Sequence, residues 1–360
     1  MDRRSFLKTT AALSAAAAAP LGFAAEGQWR TFEIKTRVEL LEERPTPARI
    51  WVPAPTVNSD YQKLLGNSFD APNGRVQLSR DPVYGAGILA AQFDSGVRPV
   101  VELVSRFATR DRAVDVNGPG NGAVLAEGER AKYLAATELL PTDGIVKETA
   151  LRITSNCKTD LDRAHAVYEW IVDKTERDAK VRGCGVGDIK AMLETNNLSG
   201  KCADINALFV GLLRSVGVPA RDVYGIRVAD SRLGYKSLGK SGDVTKAQHC
   251  RAEFWLAGHG WVPVDPADVR KVVLEEKNGG LPLSDPKVEA ARKRLFGSWE
   301  MNWLAYNYAH DVSLPGAARD PVGYFMYPNA EVVEIGRATR VDSLDPENFR
   351  YTITAREILV

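Results

Sequence analysis

The sequence predicts an α+β protein, with a small all-β region leading into helices and then a second set of strands. Three observations carry this. Residues 29–41 alternate, placing Phe32, Ile34, Val38 and Leu40 on one face and Glu33, Lys35, Arg37 and Glu39 on the other, as in a half-buried antiparallel strand. Leu161, Ala164, Tyr168, Ile171 and Val172 recur at helical spacing instead, an apolar stripe with one face to a core. Around residues 250–265 the period returns to two across a Gly-containing turn, which reads as a hairpin. Strands and helices in separate runs are the mark of this class.

The elements follow in order. Arg49-Ile50-Trp51-Val52 is a second strand, stopped by Pro53 and Pro55. Segments 75–79, 87–93 and 99–108 read as strands between Gly, Pro, Asn and Asp turns, so residues 27–115 form the β domain. Residues 116–140 are a linker with some helix, its Gly- and Asn-rich start marking the boundary. Thr142 or Asp143 caps a helix over 144–155, Thr159 or Asp160 one over 161–175, and Asp188 a short one over 189–195. Residues 202–215 are a further helix, ended by Gly217-Val218-Pro219, and 223–228 is a strand. Residues 141–275 make one unit. The extension 276–360 completes or covers it, with a charged helix at 286–297 and strands near 330–336 and 350–358.

The 47 basic and 46 acidic residues leave a net charge of +1, too little for the long-range field that nucleic acid or an acidic membrane surface would call for. The four cysteines contain no CxxC pair, so a structural metal site is not indicated, and no cofactor fingerprint is present. Residues 1–25 join a basic head to an alanine-rich stretch and a small-residue cleavage site near Ala24. Arg3-Arg4-Ser5-Phe6-Leu7-Lys8 closely resembles the twin-arginine export signal. The apolar run is too short for a stable span of about 20 residues. The resemblance implies the twin-arginine export machinery as a partner, cleavage of the signal and a periplasmic mature protein. No disulfide is then required for folding.

The stretch that bears on chemistry is Ser199-Gly200-Lys201-Cys202-Ala203-Asp204. Cys202 stands at the start of a helix, where free N–H groups and the dipole favour a thiolate and can hold an oxyanion. Taken alone, it reads more readily as a small core residue, the reading given to Cys157, Cys184 and Cys250. A nucleophilic cysteine needs a base, and the base an orienting partner. His249 opens the first strand of the hairpin and Asp265 closes the second. Ala252, Phe254, Leu256, Val262 and Val264 are the apolar alternates, so even positions pair with even ones and His249 and Asp265 share the other face. A three-residue loop with a Gly bulge pairs Leu256 with Gly260 and makes His249 the diagonal neighbour of Asp265, about 7–8 Å away between Cα atoms.

Gly200-Lys201-Cys202-Ala203-Asp204, then Leu212 to Arg221, His249 and Gly260-Trp261-Val262-Pro263-Val264-Asp265-Pro266 together resemble the bacterial transglutaminase-like proteins, papain-related in architecture. The resemblance covers roughly residues 145–270. It implies a helix bundle packed on an antiparallel sheet, behind a β domain of the kind often fused to such cores, and a Cys-His-Asp triad at Cys202, His249 and Asp265. Many members carry His-Ala-Trp where this chain has His249-Cys250-Arg251. Arg251, on the site face, then suits an acidic group on the substrate, and Trp255 and Trp261 either wall a groove or pack against the C-terminal region. Asn196 and Asn197 have the spacing of a side-chain oxyanion donor or end a helix as a polar pair.

The expected activity is cysteine-dependent acyl transfer on peptide or isopeptide amides of the cell envelope, with water resolving the thioester: a peptidase or amidase. Transamidation, with an amine resolving the same thioester, uses the same residues. A non-catalytic periplasmic adaptor is the reading from another class, and the complete triad argues against it.

Overall fold

The computed structural model describes residues 28–40, 46–334 and 336–358; the signal read at 1–25 lies outside them. Two five-stranded antiparallel sheets form the β-rich part. One runs in the order Gly242–Asp243, Phe349–Ile358, Arg30–Leu40, Val100–Thr109, Gln62–Asp70. The other runs Arg337–Val341, Asn329–Glu334, Ala48–Ala54, Gly87–Phe93, Gly74–Arg80. Val38, Leu40, Val101 and Leu103 of the first meet Ile50, Val52, Leu89 and Phe93 of the second in a shared core. This is the alternation of residues 29–41 put to use.

The C-terminal extension does two jobs. Strands Asn329–Glu334, Arg337–Val341 and Phe349–Ile358 return to the two sheets begun near the N-terminus. Strand Trp303–Asn307 instead edges the sheet of the core. That sheet is antiparallel, in the order Gly260–Val264, Gln248–Leu256, Ala220–Arg227, Trp303–Asn307. Its hairpin pairs Leu256 with Gly260 and Ala252 with Val264, the register that the alternation requires.

The helices are α1 (Glu127–Leu134), α2 (Gly144–Ile153), α3 (Asp160–Lys174), α4 (Ile189–Glu194), α5 (Cys202–Ser215), α6 (Pro266–Glu275) and α7 (Pro286–Arg294). Helix α3 starts where expected, with Thr159 and Asp162 in a reciprocal capping box. Helix α5 is buried from Cys202 to Arg214, as a helix apolar on nearly every side must be. It lies between the core sheet and α2 and α3, with Phe209 against Phe254. Helix α6 went unpredicted, because Asp265-Pro266 reads as a turn. Here Asp265 is the N-cap and Pro266 the first helical residue, where its missing N–H costs nothing.

Candidate active site

Cys202 is the first residue of α5, so its amide N–H has no intrahelical acceptor. Asp204 builds the turn that puts it there. Its carboxylate accepts from Lys201 N at 2.8 Å and from Val186 N and Gly187 N at 2.9 Å each. That ties the loop 182–188 over the helix start. Gly185 has φ +95°, and a Cβ there would lie 1.8 Å from Asp204 Oδ2, so only glycine fits.

His249 comes from the core sheet, opposite Gly225 on the neighbouring strand. Trp303 fixes its backbone by donating Nε1–H to His249 O at 2.9 Å. The imidazole Nε2 meets Asp265 Oδ2 at 2.7 Å and Asp268 Oδ1 at 3.3 Å. Nδ1 is the nitrogen left for the Cys202 sulfur, which is within hydrogen-bond reach of the ring. Asp265 is held in turn. Its Oδ1 accepts from Asn206 Nδ2 at 3.2 Å and from Asp268 N at 3.0 Å. Cys202, His249, Asp265 and Asp268 are all buried.

The charge states follow from these contacts. The thiols of Cys184 and Cys250 lie within hydrogen-bond reach of Cys202 Sγ and, with His249, outweigh burial and hold its pKa well below the usual thiol range. Burial alone would push His249 down. Asp268 and then Asp265 overcome both burial and the Arg227 charge and raise it to about 9. A thiolate beside an imidazolium is therefore the resting pair at neutral pH. Asp268 is held well below the carboxylate range, against burial, first by Arg227, whose Nη2 donates to it at 2.5 Å. Asp268 was missed from the sequence, although an Asp three residues after a capping Asp is placed to fold back over it. The donor atoms of His249, Asp265 and Asp268 lie within 4.8 Å of one another, the spacing of a metal site, but Arg227 and Arg251 already compensate the two carboxylates.

Residues 147–266 match the model of the transglutaminase-like superfamily, and residues 1–20 that of the twin-arginine translocation pathway signal sequence. An uncharacterized protein of Haemophilus influenzae is 37% identical over 325 residues, covering 86% of each chain. The chain belongs to the transglutaminase-like superfamily. Among solved structures, a candidate cysteine protease from Cytophaga hutchinsonii is similar at a TM-score of 0.59 and 13% identity, over 93% of both chains, a likeness of fold. The signal sequence indicates export. No helix among the described residues is long and apolar enough to cross a membrane.

One sequence expectation about this transglutaminase-like core needs correction, and the alternatives left open for the others can be followed in the structure. Arg251 does not face a groove. It is buried behind Asp265, its Nε 3.6 Å from Oδ2, with its guanidinium over Trp303 and Trp299 and Nη1 donating to Glu300 O at 3.1 Å. Trp255 and Trp261 pair edge to face at 5.5 Å near the hairpin tip, under Tyr133 of α1. Trp255 is six residues along the strand from His249, about 20 Å at the rise of a strand. Asn196 takes a left-handed φ of 52° in the exposed turn after α4, and Asn197 Oδ1 accepts from Ser199 N. Both residues close the turn, so the amide N–H of Cys202 is the candidate oxyanion donor. Cys184 and Cys250 are buried in the core, as read from the sequence, and both also flank Cys202. A cleft of about 770 Å³ lined by Arg112, His165, Tyr235, Phe296 and Trp299 includes none of Cys202, His249 and Asp265.

Proposed function

We propose that this protein is a periplasmic cysteine peptidase or amidase, acting on peptide or isopeptide amides of the cell envelope. The feature that supports it best is one imidazole that neighbours a thiol at a helix N-terminus and meets two carboxylates through Nε2. In this reading the Cys202 thiolate attacks the amide carbonyl, and the backbone N–H of Cys202 receives the oxyanion. His249, protonated in the resting pair, gives its proton to the leaving amine. It then takes a proton from the water that hydrolyses the thioester, regenerating the acid and the thiolate. Asp265 holds the ring by Nε2–H, and Asp268 keeps it basic.

Iodoacetamide near neutral pH tests the first step. Cys202 labels before Cys157, Cys184 and Cys250, and His249→Ala abolishes the preference. Equal, slow labelling of all four cysteines refutes the reading. Product analysis on a glutamine-containing peptide, with and without a primary amine, distinguishes hydrolysis from transamidation: free acid in both cases is the expected result.

A further inference from the structure

Three of the four cysteines meet at one point, which a nucleophile alone does not call for. Cys250 sits within strand Gln248–Leu256, opposite Tyr224, and its carbonyl accepts from Asn206 Nδ2 at 2.8 Å. Its backbone cannot move without breaking the sheet. Cys184 is different. It lies in the loop tied down by Asp204, between Gly183 and Gly185 at φ +54° and +95°. Its carbonyl accepts from Ala203 N at 2.9 Å and its thiol reaches Gln248 O at 3.3 Å. A backbone hydrogen bond to the residue after Cys202 holds this loop against the helix start. A disulfide asks for Cα atoms about 4.4–6.8 Å apart.

We propose that Cys184 is a resolving cysteine for Cys202, so that oxidation by a hydroperoxide closes a reversible Cys184–Cys202 disulfide and switches the site off. The inference rests on the nucleophilic reading of Cys202. The Cys202 thiolate attacks the peroxide O–O bond, giving the sulfenic acid and releasing an alkoxide or hydroxide that takes up a proton. The Cys184 sulfur then attacks the Cys202 sulfur as its own proton leaves, and the S–OH oxygen departs as water. The two sulfurs together give up two electrons, and a dithiol returns them with two protons. The disulfide pins the loop 182–188 over the helix start and spares Cys202 the irreversible sulfinic and sulfonic states. The export signal carries these thiols into a compartment where oxidation is the prevailing chemistry.

The test is one equivalent of hydrogen peroxide on the reduced protein, followed by thiol titration under denaturing conditions and non-reducing peptide mapping. The wild type loses two of its four thiols and regains both with dithiothreitol, and the map shows the Cys184 and Cys202 peptides joined. Cys250→Ser still forms the bond. Under excess peroxide, Cys184→Ser loses the Cys202 thiol without recovery, because the unresolved sulfenic acid is oxidised on to the sulfinic acid. Sulfinic acid at Cys202 in the wild type, or a Cys202–Cys250 link, overturns the inference while preferential alkylation of reduced Cys202 leaves the enzymatic reading standing. Failure of that preferential alkylation removes both.

Discussion

Asp268→Asn is the perturbation that tests the electrostatics of the site most directly. Asp268 lies 3.3 Å from His249 Nε2 and is the strongest influence raising that imidazole to about 9. At this distance and an effective dielectric of about 20, the attraction is about 5 kcal/mol before shielding. Arg227, bonded to the same carboxylate, offsets part of it. A net loss of about 1.4–2.8 kcal/mol lowers the imidazole by about one to two pH units. The thiolate then loses its charged partner within the neutral range. The assay is the rate of Cys202 alkylation from pH 5 to 10, read peptide by peptide. At pH 8 the variant should react about 2–10-fold more slowly, and the two profiles should converge at pH 6, where both imidazoles are protonated, and again above pH 9, where the wild-type imidazolium is also lost. A raised imidazole adds stability that is complete below about 6.5 and lost as pH rises through about 9, so the variant should also lose less stability on alkaline titration. Superimposable rates at pH 8 in a folded variant would refute the reasoning.

Three further outcomes follow from the same geometry. Asp204→Ala removes the acceptor of three N–H groups and should cost about 3–5 kcal/mol, read as a fall in Tm together with faster amide exchange at Val186 and Gly187. Gly225→Ala places a Cβ 2.1 Å from Leu304 O and 2.5 Å from the Trp303 ring, so at least about 3 kcal/mol should be lost, with slower labelling of Cys202 because His249 stands opposite. Burial would raise the carboxyl of Glu276, but Lys287, Ser237 and the Lys236 N–H hold it at about 2. Its contribution is complete above about 4.5 and fades as pH falls towards 2, so Glu276→Gln should flatten the drop in Tm between those values, measured by calorimetry.

The hairpin was legible because side-chain parity admits one register once the apolar alternates share a face, and Ala252 against Val264 is that register. Helix α5 was legible from its glycine-bounded, apolar run. What escaped depends on partners distant in the chain or on one local ambiguity. Asp-Pro fits both a turn and a helix start, and reading it as a turn hid α6 and, with it, Asp268. The clustering of Cys184, Cys202 and Cys250 comes from a loop, a helix and a strand, and no local period reports it. The alternation in Arg30–Leu40 predicts a buried face but not the strand beside it, which comes from Phe349–Ile358. Arg251 was assigned to the correct face, yet that face is closed by Trp299 and Trp303 of the extension.

That long-range strand bears on how the molecule is made. Arg30 and Glu357, 327 positions apart, are bonded side by side across the seam between Arg30–Leu40 and Phe349–Ile358. While the ribosome is still working, the first strand after the signal has only one of its two neighbours. The seam closes only after Phe349–Ile358 has emerged, so a translation product stopped short of that strand leaves a bare sheet edge behind the export address.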